Sequence, residues 1–543
     1  MTCFGVSLDG ESAFPSVERD IQVRELYSIG ERGDILNYSR NTYLNTLCHI
    51  KQNGILSRRI EEHKGNRQGH VRASGHFKAY MNPALLSLEE SGLGFNIGLE
   101  NVPIVCVADD AYLISGSPSQ LQSALDVISH YAKRYHIQFN ADKTKVVVCG
   151  SKIDMQYFQD TSHWTIDGQK LEVVEDNEHL GLIVSGLHEE QKNIDMNIIK
   201  CRNSVFSLLG AAYSYKCLLS PIAQCHIWRT CSLPILLSGL SALPIMPSQI
   251  KTLEVFHNKM LRGFLKLSQS SPIPALHFLL GEPPAEAILH MRTLSLFYNL
   301  WSNPECTVFR ITMYILKMCK ENSLTWANHV RLLCLRYDLP SPLSLLQTPV
   351  WSKDSWNMLV KTKILAWFER KLRLTALSNS KMIYLNVQLN GLSGRPHPVL
   401  GNIVSTQDVK KMRVHLKFLT MDFHYLYQPS LCNLCAASNT TTDHVLVTCR
   451  HEELVEIRAR LFPELLNIVL AVQPSCALLN QFPPPHILTQ FLLDCSSANL
   501  PQSYRIPAHN PRIDEVFSTS RDWCFAIYSA RCHPNRKAVG PNM

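Results

Sequence analysis

Asp109 and Asp110 stand side by side between two apolar, β-branched runs, Val102-Pro-Ile-Val-Cys-Val107 and Ala111-Tyr-Leu-Ile-Ser115. Such runs read as buried strands, and two ionised carboxylates cannot sit unpaired at a buried strand end. A tight hairpin with the pair at its tip resolves the conflict if a cation lies above it, and hard oxygen ligands suit Mg²⁺. On this stretch alone, a surface turn that happens to contain Asp-Asp competes with that reading. Asp9, closing the run Phe4-Gly-Val-Ser-Leu, adds a third carboxylate at the end of another predicted strand. Neighbouring strands lie about 4.8 Å apart, so Asp9, Asp109 and Asp110 can share metal ions. Two Mg²⁺ ions about 3.5–4 Å apart stabilise both oxygens of an in-line phosphoryl displacement, and no general-base histidine is needed.

A second constellation lies far down the chain. Cys432-Asn-Leu-Cys435 is followed after eight residues by His444 and after four more by Cys449. A close Cys pair, then a His and a Cys one helical turn apart, can converge on one tetrahedral Zn²⁺; ordinary buried thiols are the alternative. A third feature is the segment Arg58–Arg72, with five Lys/Arg against two Glu and with Gly65 and Gly69 freeing its backbone. Such a loop offers donors to phosphate groups, and a solvated charged loop is the competing reading.

The elements that must hold these residues are partly legible. Phe4–Asp9 reads as a strand and Arg19–Ile29 as a helix. Phe77–Leu88 reads as another helix following the basic loop. Ser117 can cap and Pro118 can open a helix carrying Leu121, Leu125, Ile128, Ala132 and Tyr135 at helical spacing. Ile137–Asn140, Lys145–Cys149 and His179–Val184 read as strands, and Thr165-Ile-Asp167-Gly168-Gln as a hairpin turn. The order predicts an α+β domain, an antiparallel sheet with helices on one face. From about residue 187 the periodicity turns helical: Ile194, Ile198, Val205 and Leu208 form one apolar face, and Ile250, Leu253, Phe256, Met260 and Phe264 another. Pro272, Pro274, Pro283 and Pro284 break the chain before a further helical stretch. A final amphipathic helix covers Arg521–Tyr528, and the residues from about Cys532 read as disordered.

Composition bounds these readings. The 543 residues are 45% hydrophobic and 18% charged, which describes a folded chain with ample core. No apolar run is long enough to span a membrane, so no membrane partner is expected. The start carries no signal-peptide pattern, so the 18 cysteines are expected to be mostly reduced, in an intracellular protein of nucleus or cytoplasm. A formal charge of +8 permits nucleic acid as a partner without arguing for it.

Taken in order, the motifs resemble the reverse transcriptases of non-LTR (LINE-type) retrotransposons. Ser7-Leu-Asp9-Gly-Glu-Ser-Ala-Phe14-Pro-Ser-Val17 looks like the first-aspartate motif, and Asn66-Arg67-Gln68-Gly69 like the template- and nucleotide-positioning motif. Val107-Ala-Asp109-Asp110 looks like the double-aspartate motif. Asn140-Ala-Asp-Lys143-Thr144 and His179-Leu180-Gly181 look like the two motifs that follow, and the Cys-Cys-His-Cys cluster like the family's zinc knuckle. The resemblance implies an RNA-directed DNA polymerase that works with an RNA template, a DNA primer and dNTPs. Asp9, Asp109 and Asp110 would hold two Mg²⁺ ions. Phe14 would sense the sugar, Arg67, Gln68 and Gly69 would pack by nucleotide and template, and Lys143 would lie near the triphosphate. His179, Leu180 and Gly181 would form the primer grip. Cys432, Cys435, His444 and Cys449 would hold one Zn²⁺.

The implied layout is a palm over residues 1–186, a helical thumb over 187–300, a helical connector over 301–428, a zinc knuckle over 429–460 and a helical tail over 461–543. Departures from the family pattern are Val107 where an aromatic is usual, Pro15 where Asp is common and Ala73 where Ser is common. None removes a metal ligand. Set against that family, the chain reads as N-terminally truncated, without the fingers segments that normally precede the first aspartate. The alternative function is a catalytically silent, nucleic-acid-binding remnant of a mobile element. A metal-dependent nuclease is weaker, because nuclease chemistry does not explain Arg67-Gln68-Gly69 or His179-Leu180-Gly181.

Overall fold

The computed structural model describes residues 2–10, 13–67, 69–107, 110–213, 219–320, 323–346, 348–387, 391–392, 394–422, 432, 434–436, 441–479 and 482–532, with backbone only over 209–213. Asp109, Gln68 and the tail from residue 533 lie outside the described residues. Two compact units emerge, one of residues 1–193 with 303–319, the other of 194–302 with 320–543.

The first unit is built on a five-stranded sheet. Its elements begin with β1 (Cys3–Leu8), α1 (Ala13–Ser16), α2 (Arg19–Ser28) and α3 (Gly33–Asn41). Four two-residue strands follow, β2 (Leu47–Cys48), β3 (Lys51–Gln52), β4 (Ile55–Leu56) and β5 (Ile60–Glu61), then α4 (Ala73–Ser91). Next come β6 (Phe95–Ile97), β7 (Glu100–Val102), β8 (Ile104–Val107), β9 (Asp110–Ser115), α5 (Pro118–Arg134), β10 (Lys145–Cys149) and α6 (Lys152–Thr161). Five more strands, β11 (Thr165–Ile166), β12 (Gln169–Lys170), β13 (Glu172–Val174), β14 (Asp176–His179) and β15 (Leu182–Ser185), lead into α7 (Glu189–Tyr213). The strand order is β13-β10-β1-β9-β8. Neighbours are antiparallel except β10 with β13, which run parallel, so the sheet is mixed rather than antiparallel throughout.

Period-two alternation sorts β1. Phe4, Val6 and Leu8 enter a core with Ala111, Leu113, Val146, Val148, Phe77 and Tyr80 of α4 and Leu121, Leu125 and Ile128 of α5. Each valine, leucine, isoleucine or phenylalanine among them, fully buried, stabilises the unit by about 1.5–3 kcal/mol. Phe158 of α6 packs on the same cluster, so these helices cover one face of the sheet. Gly5 and Ser7 turn to the other face, where the Tyr112 ring lies so close to Gly5 that a Cβ there would collide with it. Helix α5 begins as its capping signal requires, with Ser117 Oγ accepting from the Gln120 N–H.

Two expected strands take other forms. Residues 137–140 contribute only an isolated bridge, Gly10 with Phe139, whose hydrogen bond runs from the Asn140 N–H to the Asp9 carbonyl. The run His179–Val184 is not one strand but the reversal between β14 and β15, paired His179 to Leu182. Leu180 and Gly181 both have positive φ (51° and 80°), the backbone of a two-residue type I′ turn. The Asp167-Gly168 turn, by contrast, forms as the sequence predicts, with φ of 49° and 78° between β11 and β12.

The second unit is helical. It holds α8 (Pro221–Ile227), α9 (Leu233–Leu236), α10 (Pro247–Leu265), α11 (Ile273–Leu280) and α12 (Ala285–Trp301). The chain then contributes α13 (Thr307–Met318) to the first unit, where Arg310 pairs with Glu100 at 2.7 Å. The second unit resumes with α14 (Trp326–Arg336), α15 (Pro342–Leu345), α16 (Lys353–Leu377), α17 (Thr406–Leu419), α18 (Glu452–Val472), α19 (Pro485–Leu493) and α20 (Ile513–Cys532). Prolines 272, 274, 283 and 284 lie before or in the first turn of α11 and α12, where their missing N–H costs nothing. No described helix is long and apolar enough to cross a membrane.

Candidate active site and metal centre

The central strands deliver the carboxylates. β1 and β9 pair with Leu8 opposite Ala111, so the register continued by one step sets Asp9 against Asp110. Both then share the face of Ser7 and Tyr112 rather than the core face. β8 and β9 close at the Val107–Asp110 pair, which puts Asp110 at the mouth of the hairpin, exposed.

Asp9 is fixed through its backbone. Its N–H approaches the Thr144 Oγ1 at 3.4 Å and its carbonyl accepts from the Asn140 N–H at 2.9 Å. Thr144 is fully buried, a rigid post for this bond. The same 140–144 loop brings the Lys143 Nζ to 3.6 Å from the Asp9 carboxylate. Two carboxylates set opposite one another repel, and one exposed lysine compensates little of that. Oxygen-rich, solvent-accessible and like-charged, the pair fits a hard divalent cation.

His179 joins this face from the β14–β15 hairpin. Its Nδ1 lies 3.0 Å from the Ser7 Oγ, and its ring centroid is 5.1 Å from that of Tyr112. Burial lowers the ring's pKa while Asp110 pulls it up, which identifies Asp110 as its charged neighbour. The structure thus brings Asp9, Asp110, Lys143 and His179 to one end of one sheet face. Leu180, 50% exposed, sits with Gly181 at the tip of the hairpin.

Phe14 lies in α1, stacked on Phe77 with centroids 4.7 Å apart and planes 12° off parallel. The basic loop is drawn against this turn by two backbone bonds, Gly65 N–H to the Val17 carbonyl and Asn66 N–H to the Phe14 carbonyl, at 2.7 and 2.8 Å. Gly65 is required there: φ is 95°, and a Cβ would meet the Pro15 carbonyl oxygen at 2.8 Å. Arg67 and Gly69 follow, both exposed.

Residue types alone missed several supports. Arg19 donates to the carbonyls of Gly65, Tyr43 and Glu62 and to the Thr46 Oγ1, holding the basic loop from beneath. Ser7 and Tyr112 orient His179. Ser7 and Tyr112 lie on the same strand face as the carboxylates, and that parity was a usable signal; nothing in the sequence pointed to Arg19.

In the second unit, Cys432, Cys435, His444 and Cys449 converge. One ligand atom from each lies within 4.8 Å of all the others. Cys432 Sγ is 4.0 Å from Cys449 Sγ, and Cys435 Sγ is 3.3 Å from His444 Nε2. Three thiols and an imidazole at this spacing can hold a metal ion. Burial opposes the Cys432 thiolate, but the N–H groups of Cys435 and Leu434, the His444 ring and Arg531 bring it well below the usual thiol range. Burial pushes Cys449 up. The surroundings brace the cluster: Arg531 of α20 reaches the Cys432 Sγ at 3.5 Å, and Arg458 of α18 donates to the Cys449 carbonyl. Trp523 of α20, 1% exposed, donates its Nε1–H to the Leu446 carbonyl at 3.2 Å.

A family model described as Reverse transcriptase (RNA-dependent DNA polymerase) matches residues 1–193. Residues 1–193 are thus similar to a reverse-transcriptase domain. The chain is also similar, at 28% identity over 141 residues, to the Retrovirus-related Pol polyprotein from type-1 retrotransposable element R2 of Popillia japonica. That match covers 26% of this chain and 20% of the relative, so the chain spans a small part of that polyprotein. Both matches support the resemblance to non-LTR retrotransposon reverse transcriptases. A solved structure of telomerase from Candida albicans with the TWJ fragment of telomeric RNA aligns with 62% of this chain and 47% of its own, at 9% identity and a TM-score of 0.25. The reverse-transcriptase match ends at the residue where the first unit's N-terminal segment ends, Asn193.

Proposed function

We propose that the chain is an RNA-directed DNA polymerase of a non-LTR (LINE-type) retrotransposon, transferring nucleotidyl groups from dNTPs to a primer 3′-hydroxyl on an RNA template. The observation that carries this reading is Asp9 opposite Asp110 on the sheet face that also presents His179, inside a reverse-transcriptase match. In this reading residues 1–186 are the palm, 187–300 the thumb, 301–428 a connector, 429–460 the zinc knuckle and 461–543 a tail.

Asp9 and Asp110, with Asp109 assigned by the double-aspartate motif, are the residues that would hold two Mg²⁺ ions. Bound there, the ions would lower the pKa of the primer hydroxyl and neutralise charge on the phosphates. The protein's own groups do the positioning. Lys143, 3.6 Å from Asp9, is placed to follow the triphosphate. Phe14, held flat against Phe77, offers a rigid ring edge to the sugar. Arg67, Gln68 and Gly69 line nucleotide and template. The His179-Leu180-Gly181 turn carries the primer end, with the imidazole oriented by Ser7. Cys432, Cys435, His444 and Cys449 would hold one Zn²⁺, a structural ion because all four positions are filled by the protein.

The test is primer extension by the purified chain with Mg²⁺ and dNTPs on an RNA template carrying a DNA primer. The proposal expects template-dependent extension that stops without the primer or the metal. Salt-sensitive RNA binding without any extension would favour the silent remnant instead.

A further inference from the structure

A cavity of about 750 Å³ lies in the second unit, walled by α10, α12, α14 and α16 and by the segment leading into α10. That volume is in the range of small-molecule sites. Its apolar wall is made by Pro244, Met246, Pro247, Leu324 and Leu332. The other end is crowded with ionisable groups that touch one another. Arg336 pairs with Glu286 at 2.7 Å and lies 4.1 Å above the Trp367 ring, and Lys371 lies 5.3 Å from the same ring. The Glu254 carboxylate accepts the Glu286 N–H at 2.7 Å.

Two facts say that this polar end is built for a guest. First, His290 is 1% exposed and lines the cavity; its Nδ1 is engaged by the Tyr337 hydroxyl at 2.7 Å, while its Nε2 has no hydrogen-bond partner. A buried ring nitrogen left unpaired costs stability, which a bound donor or acceptor would recover. The Ser323 Oγ, also on the lining, is likewise buried without a partner. Second, the charges do not balance. Glu286 is neutralised by Arg336, and burial pushes Glu254 up to about 7 against the pull of the Glu286 N–H and of Lys371. Three cations, Lys251, Arg336 and Lys371, therefore face two carboxylates, Glu254 and Glu286, on the lining, a surplus of one positive charge. An anion fits, and a lining that combines two prolines with an unpaired imidazole and hydroxyl suits a flat ring with a polar edge.

We propose that this cavity binds a nucleoside monophosphate, its base between the prolines and His290 and its phosphate on Lys371 and Lys251. The assignment rests on the cavity's own chemistry and is independent of the Asp9–Asp110 site. Free nucleotides and the 5′-terminal nucleotide of an RNA strand present the same groups, so both sources are tested.

The experiment is calorimetric titration of the full chain at low salt with AMP, GMP, CMP and UMP, and separately with a short 5′-phosphorylated RNA and its unphosphorylated twin. Saturable binding of at least one nucleotide, or of the phosphorylated RNA in preference to its twin, is expected. Lys371→Gln and Leu332→Trp, both at exposed positions, should each weaken it at least tenfold without lowering Tm. Asp9→Asn with Asp110→Asn should leave it unchanged. The proposal is overturned if none of these ligands binds at millimolar concentration, if neither cavity variant weakens binding, or if the Asp variants abolish it. Binding that persists in a chain unable to extend primers would count against the polymerase reading alone.

Discussion

Asp9 stands opposite Asp110 in the register that joins the two central strands, one step past the Leu8–Ala111 pair. Two like charges at that separation, roughly 5 Å between Cα atoms, cost stability in exchange for a place where a cation is held.

The β14–β15 turn separates fold from function. Leu180 holds a left-handed conformation that costs an ordinary L-residue roughly 1–2 kcal/mol, whereas glycine at 181 avoids that cost. Leu180→Asn should therefore raise Tm by a few degrees, and Gly181→Val should lower it. If the turn carries the primer end, both variants lose primer extension, and the stabilised Leu180→Asn shows that the loss is not unfolding. Thermal denaturation beside extension assays decides this.

Phe14 is stacked on Phe77 and cannot easily swing aside. If Phe14 lies at the nucleotide sugar, replacing it with valine opens space there. Phe14→Val is expected to raise the use of rNTPs relative to dNTPs by tenfold or more, with dNTP extension retained. An unchanged ratio would remove Phe14 from the nucleotide site.

How far the sequence reached can be judged on these elements. The strand Lys145–Cys149, the Ser117 cap and the Asp167-Gly168 turn were legible because each is set by residues adjacent in the chain. The run 137–140 alternates like a strand, yet only Phe139 pairs, opposite Gly10. Likewise, the apolar stretch after His179 gave no warning of a reversal, since a leucine rarely takes the left-handed region. Pairings over long separations were invisible for the same reason: Ser7 with His179, Arg19 with the basic loop, and Arg531 with Cys432 depend on the completed fold. The four metal-ligand candidates were legible as a spacing; what braces them was not.

The Cys432–Cys449 cluster should bind one Zn²⁺ per chain, measured by elemental analysis and lost on Cys435→Ser. Because α20 contacts the cluster through Arg531 and packs Trp523 on its loop, chelation should lower Tm and red-shift tryptophan emission. Arg531→Met should weaken zinc retention by about tenfold. Full retention in that variant would show Arg531 to be a bystander.

Asp494 is fully buried, facing His397 at 3.3 Å and accepting from Asn386 and Ser496. Burial works against its ionised form, but His397 and these donors hold its pKa below the ordinary aspartate value. Folding is therefore favoured above the unfolded pKa, about 3.9, and that contribution disappears as pH falls through the lower folded value. Asp494→Asn should cost about 3 kcal/mol at neutral pH and remove this part of the acid sensitivity. Equal acid midpoints for the two proteins would contradict the assignment.

The central claim is that Asp9 and Asp110 together hold the metal that drives nucleotidyl transfer. Single-turnover dNTP incorporation on a primed RNA template with Mg²⁺ tests it most directly, comparing the unaltered chain with Asp9→Asn and Asp110→Asn. Incorporation by the unaltered chain, a drop of at least a hundredfold in each variant, and unchanged or higher Tm are the predicted result. Equal incorporation by all three proteins would contradict it.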